Sequence, residues 1–227
     1  PPLLTIAQDT VLDVSCNGFS DGFASVTVNG GTGAYNFTWE LGSTLVSILQ
    51  SPSTLAAGTY LVTVTDENLC SASMFITVNE PTPLTSTYVT VDALCAGDNT
   101  GYAFVSPTGG IAPYTFQCDA AAALQQTDTA TGLIAGTYGV MITDDNGCNY
   151  PINNIVINEP FPLNLVGNTV SSTCGDNNGE ASVSVGGGSG IYNFAWNTIP
   201  VQATAIATTL FAGNYTVVVT DQNGCLD

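Results

Sequence analysis

An internal repeat constrains this chain more than any other feature. Cys16, Cys95 and Cys174 stand 79 residues apart, and Glu80-Pro81 and Glu159-Pro160 keep the same spacing. A second cysteine series, Cys70, Cys148 and Cys225, is spaced by 78 and 77 residues. Between the two series the same landmarks recur in the same order. A Gly-rich turn (Gly30–Gly33, Gly109–Ala112, Gly187–Gly190) precedes an aromatic segment (Tyr35, Phe37, Trp39; Tyr114, Phe116, Cys118; Tyr192, Phe194, Trp196). An Ala-Gly-x-Tyr tetrapeptide ends at Tyr60, Tyr138 and Tyr215, and a Thr-Asp turn closes on the second cysteine. Self-similarity at a fixed period marks one structural unit used repeatedly. The expected units are residues 1–80, 81–159 and 160–227.

Within each unit the hydrophobic period is two. Ala24, Val26 and Val28 alternate with Ser25 and Thr27, and Tyr60, Val62 and Val64 alternate with Leu61 and Thr63. One face is apolar and the other carries Ser and Thr, the pattern of antiparallel sheets with one buried and one wet face. The segments are short and bounded by Gly, Asn, Asp and Pro, which favours a sandwich. Asn146-Gly147 and Asn223-Gly224 are turn dipeptides. Ala120–Gln126 contains helix formers but is too short for a free-standing helix. The Glu-Pro steps should stiffen the junctions, because Pro fixes φ and donates to no ladder. The expected fold is therefore all-β: a tandem array of three immunoglobulin-like antiparallel β-sandwiches forming an elongated rod, each unit about 35–45 Å long. The third unit has no counterpart of Ser71–Val78. The expectation is a longer array cut short; a strand donated by a neighbouring molecule is the lesser alternative.

Composition narrows the function. The 227 residues include no Lys, Arg or His and 18 acidic residues, for a net charge of −18. Histidine-dependent triads, dyads and metal sites are excluded, as are lysine and arginine phosphate clamps. Nucleic acid is not an expected partner, since phosphate neutralisation supplies most of that affinity. No apolar run reaches the length of a membrane helix, so no direct membrane insertion is expected, and no basic-then-apolar leader opens the chain. Paired carboxylates could in principle cleave glycosides. Here the acids recur in equivalent turns, so no catalytic residue is assigned and no enzyme is expected.

These landmarks resemble the SprB-type repeat of Bacteroidota surface proteins. The family pattern runs C-x-G-x-x-(D/N)-G, then GG-x-(G/A)-x-Y-x-(F/Y)-x-W, then L-x-AG-x-Y-x-V-x-V-T-D-x-NGC, and it is met three times over nearly the whole chain. The resemblance implies a large filamentous adhesin of gliding bacteria, carried to the cell surface by type IX secretion. The chain departs from the pattern at Cys118, where the family has Trp, and at Leu69, where it has Gly.

Cysteines in such an extracellular setting imply disulfides. The simplest pairing closes each unit on itself: Cys16–Cys70, Cys95–Cys148 and Cys174–Cys225. The rival pairing runs between units, Cys16–Cys148 and Cys95–Cys225, and leaves Cys70 and Cys174 to bond elsewhere. Cys118 occupies the inward position of Trp39 and Trp196. It is expected to be a buried, inert thiol in a repacked core, against a reactive or intermolecular thiol, and it should leave a sizeable cavity unless neighbours fill it.

Asp66, Asp144, Asp145, Asp176 and Asp221 are candidate calcium ligands, although Asp-x-Asn-Gly is first of all a turn sequence; no other cofactor is expected. Asn36 and Asn214 head glycosylation sequons, and Thr10 and Thr129 sit in Asp-Thr-aliphatic triplets resembling a Bacteroidota O-glycosylation pattern. The functional expectation is a non-enzymatic structural or adhesive segment of an extracellular, surface-borne filament. Its partners would be further repeats of its own chain, surface polysaccharide or like filaments. The alternative is a carbohydrate-binding or spacer module of a secreted polysaccharide-degrading enzyme.

Overall fold

A computed structural model describes all 227 residues. The chain is all-β apart from one 3-10 turn, and its strands pair antiparallel. Its contacts group into two compact bodies. One comprises Pro1–Thr87, Ser106–Phe116 and Met141–Pro151; the other comprises Tyr88–Val105, Gln117–Val140 and Ile152–Asp227.

In the first body the chain opens with β1 (Thr5–Leu12), β2 (Phe23–Asn29), β3 (Asn36–Leu41), β4 (Thr44–Ser47), β5 (Gly58–Thr65) and β6 (Ser71–Val78). One sheet is β1-β2, extended by a bridge from Gly22 to Leu55; the other has the order β4-β3-β5-β6. In chain order, the first, second and bridging segments form one layer, and the strands after each crossover form the other. This is the immunoglobulin arrangement. Alternation decides the core. Ala24, Val26, Trp39, Leu55, Tyr60, Val62, Ile76 and Val78 are all buried between the layers, as period two requires when one face of each sheet is covered. Ser25, expected on the wet face, is buried as well. It donates to Asp9 Oδ2 at 2.9 Å beside a bulge of β1 between Gln8 and Val11, which satisfies the hydroxyl.

The next two copies repeat this order. They contain β7 (Thr85–Val91), β8 (Gly101–Thr108), β9 (Thr115–Cys118), β10 (Thr129–Leu133), β11 (Gly136–Thr143), β12 (Asn149–Ile157), β13 (Asn164–Val170), β14 (Gly179–Gly186), β15 (Asn193–Trp196), β16 (Ile206–Leu210) and β17 (Val217–Thr220). Their sheets are β10-β8-β7 with β12-β11-β9, and β13-β14-β16 with β15-β17. In the second body Ala181, Val183, Trp196, Ala207, Leu210 and Val219 form the last core. Beyond β17 the chain folds back: Val219 and Asp227 exchange two backbone hydrogen bonds, at 2.8 and 3.0 Å.

Cys118 is buried at the end of β9, and neighbours fill the space that would otherwise be a cavity. The Ala120–Ala122 segment forms the 3-10 turn, capped by the Asp119 carboxylate, which accepts from Ala122 N at 3.1 Å and Gly139 N at 2.6 Å. That turn places Ala122, 3% exposed, against the thiol's surroundings. Only about 20 Å³ is left unfilled, room for one water at most. The short alanine run that breaks the repeat pattern is thus the filler for the missing indole. Burial, with a smaller contribution from the Asp119 charge, pushes the Cys118 thiol up from its ordinary range. The thiol is accordingly protonated and shielded.

Candidate functional site at the repeat junctions

The second cysteine of each copy sits on a turn organised by one buried aspartate. Asp66, Asp144 and Asp221 are 1%, 5% and 3% exposed. Asp66 Oδ1 accepts from Asn68 N and Cys70 N, both at 2.9 Å, and its Oδ2 accepts from Thr32 N at 3.0 Å. Asp144 does the same with Asn146, Cys148 and Ile111 at 3.0, 2.9 and 2.9 Å. Asp221 does so with Asn223, Cys225 and Ser189 at 2.9, 2.9 and 2.8 Å. Each carboxylate thus ties its own turn to the Gly-rich turn of the same copy. Burial opposes the charge on Asp221, yet its amide donors outweigh that effect and hold the carboxyl below its ordinary value.

The Gly-rich turn is equally constrained. A Cβ on Gly30, Gly109 or Gly187 would lie 2.0 Å from the carbonyl oxygen of Leu3, Pro83 or Pro162, and all three glycines have φ near +74°. Leu69, standing where the other copies have Gly147 and Gly224, adopts the same left-handed backbone at φ 64°. The turn survives the exchange, and the leucine side chain is left exposed.

The disulfides run between copies. Cys16 is bonded to Cys148 and Cys95 to Cys225, with Cα–Cα distances of 5.7 and 5.6 Å. The within-copy pairings Cys16–Cys70, Cys95–Cys148 and Cys174–Cys225 are not formed, and Cys70 and Cys174 are exposed free thiols. The physical reason is position. The first cysteine follows β1 or β7 at the pole that meets the following copy, whereas the second lies on the turn before the last strand. Each bond comes with the same polar contacts. Asn146 Nδ2 donates to Ser15 O at 2.8 Å and Asn223 Nδ2 to Leu94 O at 2.9 Å. The adjoining disulfide sulfur lies 3.4 Å from the same carbonyl in both cases.

The linkers are fastened in parallel. Glu80 Oε2 accepts from Gly18 N and Glu159 Oε2 from Gly97 N, both at 2.6 Å. Asp13 and Asp92 accept from the backbones of Asn79 and Asn158, both at 2.8 Å. Each junction is therefore a short Glu-Pro step, two carboxylate clamps and one disulfide. An open cleft of about 460 Å³ flanks the Cys95–Cys225 bond, walled by Pro160, Phe161, Pro162 and Leu163.

The other sequence-derived residues are dispersed. Three of the five calcium candidates, Asp66, Asp144 and Asp221, are occupied by backbone amides. Asp176 accepts from Thr173 Oγ1 at 2.9 Å, and Asp145 is exposed. No three acidic or thiol side chains converge on a common point. Asn36, Asn214 and Thr10 are exposed, and Thr129 is half-buried with its hydroxyl on Asp128.

Sequence reasoning passed over the role of the Ala-Gly-x-Tyr tyrosines. Tyr60, Tyr138 and Tyr215 each donate the phenol hydrogen to the carbonyl four residues upstream, Ala56, Ile134 and Phe211, at 2.7, 2.8 and 3.0 Å. This is the tyrosine corner that pins one sheet to the other in immunoglobulin-like folds. A Tyr fixed in register at the start of a strand after a Gly was the available signal. The tryptophans are tethered similarly, Trp39 Nε1 to Leu49 O and Trp196 Nε1 to Thr204 O, both at 2.8 Å.

Tyrosine corners, two-layer strand order and disulfides between successive copies define a tandem immunoglobulin-like repeat protein. The family model of the SprB repeat matches the chain three times, at residues 9–44, 87–122 and 166–201, consistent with a SprB-type repeat. Each match covers the first strands and the aromatic strand of a copy; the tyrosine corner and the second cysteine lie outside it. No curated protein matches the chain significantly. Among solved structures, the three N-terminal domains of the outer capsid protein Hoc of bacteriophage RB49 share 13% identity at a TM-score of 0.40, covering 99% of this chain and 85% of that one. The eight N-terminal Ig domains of Down Syndrome Cell Adhesion Molecule share 11% at 0.38, covering 85% and 31%. A tetra-tandem repeat from the extending region of a large adhesion protein shares 13% at 0.26, covering 99% and 71%. The immunoglobulin-like assignment stands on the strand order and not on these likenesses.

Proposed function

We propose that this chain is a non-enzymatic stalk segment of a bacterial surface adhesin, exposed outside the cell, exported by the type IX route and serving gliding or attachment. One observation carries the reading: successive SprB repeats are covalently joined through oxidised cysteines, which calls for an oxidising, extracytoplasmic setting. The absence of basic residues supports it. Proteases that cut after Lys or Arg find no site, and a charge of −18 keeps neighbouring chains apart. The chemistry of the site points the same way, because every buried carboxylate of the repeat turns is committed to backbone amides. The test is antibody labelling of intact cells of the source bacterium, together with attachment by a strain lacking these repeats. Labelling without permeabilisation and weakened attachment are expected. Signal only after lysis would overturn the proposal.

A further inference from the structure

We propose that Cys70 and Cys174 are complementary half-junctions, each of which bonds a further SprB repeat, so that two copies of this chain join head to tail through Cys174 of one and Cys70 of the other. The inference concerns assembly and does not depend on the adhesive role.

The two junctions already formed supply the template. In both, a cysteine of the first series is bonded to a cysteine of the second series in the next copy. In both, the Asn two residues before the second cysteine donates to the carbonyl just before the first. Cys70 is presented in that same way. Its turn is held by Asp66 through the same pair of amide bonds that hold Cys148 and Cys225. Asn68, the counterpart of Asn146 and Asn223, is exposed beside it, as is the thiol. The half-site is built. The shape of the occupant is known from inside the molecule: the Ser15-Cys16 or Leu94-Cys95 end of another repeat.

Cys174 is the other half. It belongs to the first series and is exposed. Its loop is one residue shorter than its counterparts between the cysteine and the glycine that opens the next strand (Gly179, against Gly22 and Gly101). The Thr173 carbonyl, equivalent to Ser15 O and Leu94 O, accepts from Asp176 N at 3.0 Å. The third free thiol, Cys118, is buried and takes no part. Since one partner offers a first-series cysteine and the other a second-series cysteine, the association is heterologous, and each joined copy still carries a free half-junction for the next.

The bond needs an oxidant, and a small-molecule disulfide suffices. The Cys70 thiolate attacks oxidised glutathione, forming a mixed disulfide and releasing one glutathione thiolate. The Cys174 thiolate of a second copy then attacks the Cys70 sulfur and releases the second. Two protein thiols are oxidised, one glutathione disulfide is reduced to two thiols, and the two protons pass to the released glutathione.

The test mixes equal amounts of two 227-residue variants, Cys70→Ser and Cys174→Ser, in a glutathione redox buffer. Products are read by intact mass and by non-reducing peptide maps cut at acidic or aromatic residues. The Cys174–Cys70 heterodimer should exceed either homodimer several-fold, well above the half-share that random pairing of exposed thiols gives. The wild-type chain should form a ladder of linear multimers. Adding Asn68→Ala to the Cys174→Ser variant should lower the heterodimer share toward the random value, while Cys70 is alkylated as readily as before. A random share without that substitution, or glutathione adducts with no cross-linked product, would overturn the proposal.

Discussion

Replacing Asp66 by Asn tests whether one buried carboxylate holds the cysteine turn. The substitution keeps size and shape. Its single oxygen can still accept from Asn68 N and Cys70 N, which lie 2.9 Å from the carboxylate oxygen it replaces, but as a neutral group. The new NH₂ then faces Thr32 N, 3.0 Å from the atom it replaces, so two donors meet where donor and acceptor stood. One charge-assisted bond is lost, at ~1.5–3 kcal/mol, and a buried amide hydrogen is left unpaired. The expected cost is about 2–4 kcal/mol, a large part of the ~5–15 kcal/mol that holds a typical domain together. The assay is urea unfolding in a Trp196→Phe background, where Trp39, buried in the first sandwich, is the only tryptophan left. The midpoint should fall with the slope unchanged. A loss below about 1 kcal/mol would refute the reasoning, because it would mean the three amides are equally well served without the charge.

Further outcomes follow from the same geometry. Tyr60→Phe removes the corner bond to Ala56 and should cost the first sandwich about 1 kcal/mol by leaving a half-buried carbonyl without its phenol donor; Phe melting like Tyr would count against a pinning role. Cys118→Trp should destabilise the chain by about 1–3 kcal/mol, despite restoring the family residue, because the Ala122 turn already fills that space; a higher melting temperature would show that the turn yields. In native protein, iodoacetamide should label Cys70 and Cys174 and spare Cys118, which should react only after unfolding. Because the Asp221 carboxyl is held below its ordinary value in the fold, its stabilisation is complete above that value and is lost as pH falls through the folded value. Trp196 fluorescence in a Trp39→Phe background should show the third sandwich weakening over that acid range, and Asp221→Asn should flatten the dependence.

The fold was largely legible because period two, turn residues and the repeat all point to the same architecture. Ala24, Val26, Tyr60 and Val62 face inward as their alternation demands. The junctions were not legible, because cysteine spacing says nothing of which pole a loop occupies: Cys16 is 54 residues from Cys70 and 132 from Cys148, yet is bonded to Cys148. Repetition of Asp66, Asp144 and Asp221 marked them as important without showing that each accepts three amide hydrogens, because those donors are brought together only on folding. Cys118 was misleading by itself; its meaning emerged only with Ala120–Ala122, two to four residues further on.

The sulfur bridges also decide how the molecule would answer a pull on its ends. Cys16 and Cys148 are separated by 132 positions in sequence but by a single covalent bridge. Tension entering at Pro1 therefore leaves the backbone at Cys16 and re-enters it at Cys148, so the intervening loop is shunted even if every sandwich there has melted. Cys95–Cys225 shunts a second, overlapping loop of 130. Where Cys174 of one chain is bonded to Cys70 of the next, the shortest covalent track across a chain runs from Cys70 to Cys95, over the bridge to Cys225 and back to Cys174. Those stretches of 25 and 51 residues can pay out at most about 3.5 Å per residue. When its folds are lost, the reach of such a cable is set by where sulfur joins the backbone and not by the stability of any one sandwich.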